Sequence, residues 1–137
     1  MLCMNTTTSQ AGPGRTGLQH RRVLVVDDNL DSADTLAVLV GLLGAEVHVA
    51  RDGPAALAET ASFHPDAILL DIGMPGMNGY EVARRIRAMP GSDAVKLIAL
   101  TGWGEEEDRR LARDSGFDHH LVKPVDVDVL NSLLSRL

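Results

Sequence analysis

Val23-Leu24-Val25-Val26-Asp27-Asp28-Asn29 is four apolar residues, three of them β-branched, running straight into two acids and an amide. A short apolar run without alternation reads as a strand buried on both faces. The pattern recurs. Ala67-Ile68-Leu69-Leu70 leads into Asp71, and Lys96 to Leu100 leads into Thr101. Strands of this kind belong in a parallel sheet covered by helices on both sides.

The intervening segments supply those helices. Asp31 to Leu43 carries Leu36, Leu39, Val40 and Leu43 at helical spacing, and Gly44 can close the turn. A second short strand spans Glu46 to Ala50. Gly53-Pro54 opens a helix reaching about Ser62, with proline suited to the first helical position. Asp71 to Gly79 holds three glycines and Pro75, so it reads as a loop. Asn78 can cap the next helix, which runs to about Ala88 with Val82 and Ile86 inward. After the Met89-Pro90-Gly91 break comes the Lys96 strand. Glu105 to Asp108 puts acid on the first turn of a fourth helix, where the macrodipole favours it, and Gly116 ends that helix. Asp118 to Val122 is the fifth strand. Asp126 caps a last helix offering Val129, Leu130, Leu133 and Leu134 to the core. The sum is an α/β fold: (βα)₅, doubly wound, a five-stranded parallel sheet. Right-handed crossovers favour the order 2-1-3-4-5, with the switch point between strands 1 and 3.

Composition limits the rest. The 137 residues are 45% hydrophobic but only 3% aromatic, so aliphatic side chains build the core. Residues 1–20 are polar and aperiodic and read as a flexible tail, leaving 21–137 as one domain. The formal net charge of −6 argues against nucleic acid as the main partner. Cys3 is the only cysteine, so no disulfide forms within one chain. There is no apolar run of membrane-spanning length and no secretory signal, so no membrane partner and a cytoplasmic location are expected.

The chemistry gathers at the strand ends. Strand 1 ends in Asp27-Asp28 and strand 3 in Asp71, so the switch point brings three carboxylates together. Like charges at close range repel, and a hard divalent cation on oxygen ligands relieves them; Mg²⁺ (or Mn²⁺) suits such a site. Thr101 follows strand 4 and Lys123 follows strand 5. Acid, cation, hydroxyl and ammonium together make a phosphoryl-transfer site, with Asp71 the nucleophile. Each piece alone has a plainer reading. Paired aspartates after a strand are often a solvated turn, and a lone lysine is usually on the surface. His119-His120 point to opposite faces of a strand and do not readily share an ion. Trp103 reads as a surface loop residue or a partner contact.

VLVVDDN, LLDIGMPGMNGYE, ALTG and LVKP, in that order, resemble the receiver family of response regulators from Arg21 to Leu137. The resemblance implies a flavodoxin-like receiver fold and phosphorylation of Asp71 by a histidine kinase or histidine phosphotransfer protein. It implies Mg²⁺ bound by Asp28, Asp71 and the Gly73 carbonyl, with Asp27 acting through water. It also implies that Thr101 turns toward the phosphoryl group, that Lys123 pairs with it, and that Lys123-Pro124 is cis. The output surface would be the face of helix 4, strand 5 and helix 5, read by a downstream protein. The sequence departs from the family at His120, where many receivers carry an aromatic switch residue; with Thr101, His120 is read as a candidate switch residue or partner contact. As the chain closes after the last helix, a stand-alone receiver is expected, with a receiver detached from a hybrid kinase as the variant. The rival from another class is a phosphohydrolase of haloacid dehalogenase type, which needs a second acid where Gly73 stands. A dinucleotide-binding module needs a glycine-rich turn where Asp27-Asp28-Asn29 stands.

Overall fold

A computed structural model of the protein describes residues 21–74, 76–102 and 106–136. Strand β1 (Arg22–Val26) is followed by α1 (Leu30–Leu42), β2 (Glu46–Ala50), α2 (Gly53–Phe63) and β3 (Ala67–Asp71). Then come α3 (Gly79–Arg87), a 3₁₀ turn (Ser92–Ala94), β4 (Lys96–Thr101), α4 (Glu106–Asp114), β5 (His119–Val122) and α5 (Val127–Leu134). The sheet is parallel throughout and runs β2-β1-β3-β4-β5. This is the expected 2-1-3-4-5 order. The tail, Trp103 and Glu105 lie outside the described residues.

The unbroken apolar runs are explained by two cores. Alternate residues of a strand face opposite sides. Leu24, Val26, Ile68, Leu70, Leu97 and Ala99 therefore meet Val82, Ala83, Ile86, Ala112 and Phe117 on one side. Val23, Val25, Leu69, Ile98 and Leu100 meet Leu36, Val40, Leu130 and Leu134 on the other. The edge strands β2 and β5 are only partly buried, and their sequences are correspondingly more polar. Val129 is a correction: expected inward, it is 45% exposed, and Leu133 is only half-buried. A helix of eight residues at the sheet edge turns one narrow stripe inward, and Leu130 and Leu134 fill it.

Short polar side chains begin the helices. Asn78 Oδ1 accepts from the Glu81 N–H at 3.0 Å, and Asp126 Oδ1 accepts from Asp128 and Val129 at 2.8 and 3.2 Å. Asn29 and Asp52 cap α1 and α2 in the same way. Asn29 draws the start of α1 back to Leu30, one residue before the expected Asp31. Gly44, at φ 109°, follows the end of α1 as expected.

At the far end of the sheet one guanidinium joins four segments. Arg87 donates to the carbonyls of Gly116, Ser92 and Val95 at 2.8–3.0 Å and to Asp118 Oδ2 at 2.8 Å. The same carboxylate oxygen accepts from the Leu97 N–H at 2.9 Å. Asp118, expected to open the fifth strand, instead precedes β5 and serves this junction.

Gly79 sets how closely α3 approaches β3. A Cβ there would fall 2.7 Å from the Asp71 carbonyl oxygen and 2.7 Å from Ile72 Cα, both backbone atoms that cannot step aside. We expect Gly79→Ala to cost about 1–3 kcal/mol through this overlap. Gly41→Ala, in open space on α1, should stabilise by about 0.5–1 kcal/mol. Urea midpoints read both, and equal effects from the two substitutions would contradict the packing argument.

Candidate functional site

Each strand of a parallel sheet ends on the same side, so the residues after β1, β3, β4 and β5 share one pole. Asp27 directly follows β1. Its N–H continues the pairing with β2 by donating to Ala50 O at 3.1 Å, and this holds its side chain over the sheet at 1% exposure. Asp27 Oδ1 accepts from the Asn29 N–H at 3.0 Å. Asp28, next along, faces solvent. Asp71 is the last residue of β3 and is 9% exposed. Oxygens of the three carboxylates lie within 4.8 Å of one another. Among the described residues no other His, Cys, Asp and Glu group has this metal-holding geometry.

Lys123 enters from the opposite edge. Its N–H donates to Thr101 O at 2.7 Å, and its peptide bond to Pro124 is cis. The ammonium reaches Asp27 Oδ2 at 3.1 Å and Asp71 Oδ1 at 3.5 Å. Thr101 closes β4 and is 5% exposed; β4 places it one residue beyond the partner of Asp71. The loop after Asp71 is tied at both ends. Ile72 N–H donates to Leu100 O at 3.0 Å, and Gly79 N–H donates back to Ile72 O at 3.1 Å. Within it the Gly73 N–H donates to Asp71 Oδ1 at 3.2 Å. No side chain stands at Gly73, where an added Cβ would meet only Asp71 Oδ1, at 3.9 Å.

The electrostatics follow from this crowding. Burial pushes the Asp71 carboxyl above its ordinary value. The Gly73 N–H and Lys123 pull it back down, and Asp27 adds to the rise. The net direction is upward, so the charged carboxylate is held at a cost. Oxygen donors alone, an excess of negative charge and a solvent-facing Asp28 suit a hard divalent cation.

Asp27, Asp28, Asp71, Thr101 and Lys123 are thus at one pole, as the sequence spacing required. His120 is not among them. It pairs with Ala99 in the sheet and lines a cleft beside α4. Two features escaped the sequence. Lys123 spans two acids, which spacing could not reveal because the contact with Asp27 reaches across two intervening strands. A cavity of about 580 Å³ also opens beside Asp27 and Lys123, between Thr35 and Leu39 of α1 and Pro124 and Val125. Its signal was faint: Thr35 interrupts the apolar stripe of α1.

A doubly wound parallel sheet with an acidic switch-point pole and a cis-proline lysine defines a receiver-type α/β domain. Comparison with known proteins agrees. Residues 23–135 match the response regulator receiver domain, and the chain belongs to that family. It is 40% identical over 109 residues to an uncharacterized 14.6 kDa protein of Leptolyngbya boryana, covering 80% of this chain and 83% of that one. It is 39% identical over 122 residues to the transcriptional regulatory protein PrrA of Mycobacterium leprae, covering 89% of this chain and 50% of PrrA. The chain therefore spans half the length of that relative. The chemotaxis protein CheY4 of Vibrio cholerae superposes with a TM-score of 0.81 at 29% identity, over 85% of this chain and 98% of that one. No helix among the described residues is long and apolar enough to cross a membrane.

The raised Asp71 carboxyl gives a signed prediction. An acid whose folded value lies above its unfolded one destabilises the fold once both states are ionised. That cost is absent below the ordinary carboxylate range and complete above the raised value. With divalent cations chelated, Asp71→Asn should raise the urea midpoint at neutral pH. It should do so by less as the acid is protonated. A gain that grew toward low pH would contradict a raised value.

Proposed function

We propose that this domain accepts a phosphoryl group on Asp71 from a histidine kinase or histidine phosphotransfer protein in the cytoplasm. The observation that carries the reading is the packing of the Asp27, Asp28 and Asp71 oxygens within 4.8 Å, with Lys123 between Asp27 and Asp71. In the step itself, an Asp71 carboxylate oxygen attacks phosphorus. The bond from phosphorus to the donor nitrogen breaks, and that nitrogen leaves with its electron pair. Asp28, Asp71 and the Gly73 carbonyl, with Asp27 behind them, would hold Mg²⁺, which would supply charge neutralisation at the phosphoryl oxygens. Lys123 stands 3.5 Å from Asp71 and is placed to pair with the group once transferred. Thr101 ends the neighbouring strand and supplies a hydroxyl donor.

Phosphorylation adds about −1.5 to −2 charge to this pole. A hydrogen bond to a charged group contributes about 1.5–3 kcal/mol. Reversing a 1:99 equilibrium takes about 5.5 kcal/mol. One bond therefore falls short, whereas the Thr101 and Lys123 bonds together approach the requirement. Both residues adjoin β5, whose Val122 pairs with Thr101. The face of α4, β5 and α5 is accordingly the surface we assign to a downstream protein. The domain is taken as 21–137, with 1–20 outside it. Gly73 offers no second acid for leaving-group chemistry, which argues against a phosphohydrolase.

Incubation with acetyl phosphate and Mg²⁺, followed by intact mass, tests the acceptor. The wild-type chain should gain one phosphoryl group; Asp71→Asn and EDTA-treated protein should gain none. Equal uptake by Asp71→Asn would remove Asp71 from the role. Thr101→Ala should still take up phosphate but lose the phosphate-dependent amide shifts in β5. A full set of β5 shifts in that variant would discard Thr101 as the transmitter.

A further inference from the structure

Helix α4 and the edge strand β5 enclose a cleft of about 340 Å³ lined by Arg109, Arg113, Phe117, His119 and His120. In a chain of net charge −6, two arginines here face a single acid in the lining, Asp118. Arg109 and Arg113 are exposed, and among the described residues no hydrogen bond or ion pair engages either one. The acid in the lining, Asp118, is already answered by Arg87 at 2.8 Å and the Leu97 N–H at 2.9 Å. The cleft therefore presents positive charge with no internal counter-ion among the described residues.

Geometry narrows what would fill it. Arg109 and Arg113 are one helical turn apart, which separates their Cβ atoms by about 5–6 Å. An extended chain repeats its same-face side chains every second residue, at about 6.6–6.8 Å. Two carboxylates separated by one residue on an extended segment match that spacing. Among the described residues β5 stands at the end of the sheet, with no strand on its outer side. An open edge of this kind can take an added strand. Val122, at the end of the same strand, is 41% exposed and offers an apolar contact.

We infer that the α4–β5 cleft binds an extended acidic segment of a partner protein, an acid–x–acid sequence whose two carboxylates pair with Arg109 and Arg113. The inference rests on the output face assigned above and names the chemistry of what docks there. It also couples the cleft to the acceptor pole, because His120 pairs with Ala99 and Val122 with Thr101 across one ladder.

The test uses the full chain, a short Gly/Ser-flanked peptide with a Glu-Val-Glu core, and its Gln-Val-Gln counterpart, titrated while amide resonances are followed. The Glu peptide should shift resonances in residues 109–113 and 117–122 and bind about tenfold more tightly than the amide counterpart, with affinity falling as salt rises. Arg109→Gln with Arg113→Gln should weaken the Glu peptide about tenfold. The same double variant should take up phosphate from acetyl phosphate as the wild type does, which also reports that it folds. Equal binding of the two peptides, or shifts elsewhere on the surface, would overturn the inference. So would self-association in sedimentation that the double variant abolishes, since a second copy would then occupy the cleft. Failure of phosphate uptake at Asp71 would strike the acceptor reading alone, because the peptide titration is read on the unphosphorylated chain.

Discussion

A single ammonium group holds together an arrangement that electrostatics otherwise opposes. Asp27 and Asp71 are almost wholly removed from water, and Asp28 sits beside them. Lys123 reaches both buried acids at once. Its attraction, the Asn29 N–H on Asp27 and the Gly73 N–H on Asp71 are the local compensations for packing like charges this tightly. They are incomplete, since Asp71 still titrates upward. The pole therefore keeps three clustered carboxylates against one ammonium.

The parallel sheet is what makes such a pole possible. Crossover helices return every strand in the same direction, so five strand ends converge without any loop having to travel. The strands can be wholly apolar because their chemistry begins only where they stop. Asp71 and Thr101 belong to their strands as final residues, and Asp27 and Lys123 follow immediately. Position is thereby inherited from the hydrogen-bonded ladder rather than from the loops beyond it. The tie from Gly79 back to Ile72 keeps the loop after β3 against Asp71.

Most of this was legible from residues alone, for physical reasons. Strands buried on both faces write themselves as unbroken aliphatic runs, and Val23–Val26 and Ile68–Leu70 are fully buried. Asn78 and Asp126 announce helix starts because few other side chains can satisfy the first free N–H groups. The site was readable because strand order alone assembles it. What escaped depends on distant contacts. Val129 fits a helical stripe yet faces outward, since α5 lies at the edge and buries less than its pattern offers. Asp118 looked like strand, and only the three-dimensional position of Arg87 recruits it elsewhere. The cationic cleft was hidden because Arg109 and Arg113 sit in a charge-rich helix whose acids dominate the first turn.

The Arg87 junction has a mechanical consequence. It fastens Gly116 and Asp118, just before β5, to the 3₁₀ turn and the start of β4, while the far end of β5 carries Lys123. β5 is thus fastened at its root by the Arg87 junction and laced to β4 along its length, with Lys123 at its tip. Bonds at the root and along the ladder both oppose sliding of the strand past its neighbour. A change at the acidic pole would then meet β5 at its tip, the end opposite the Arg87 junction.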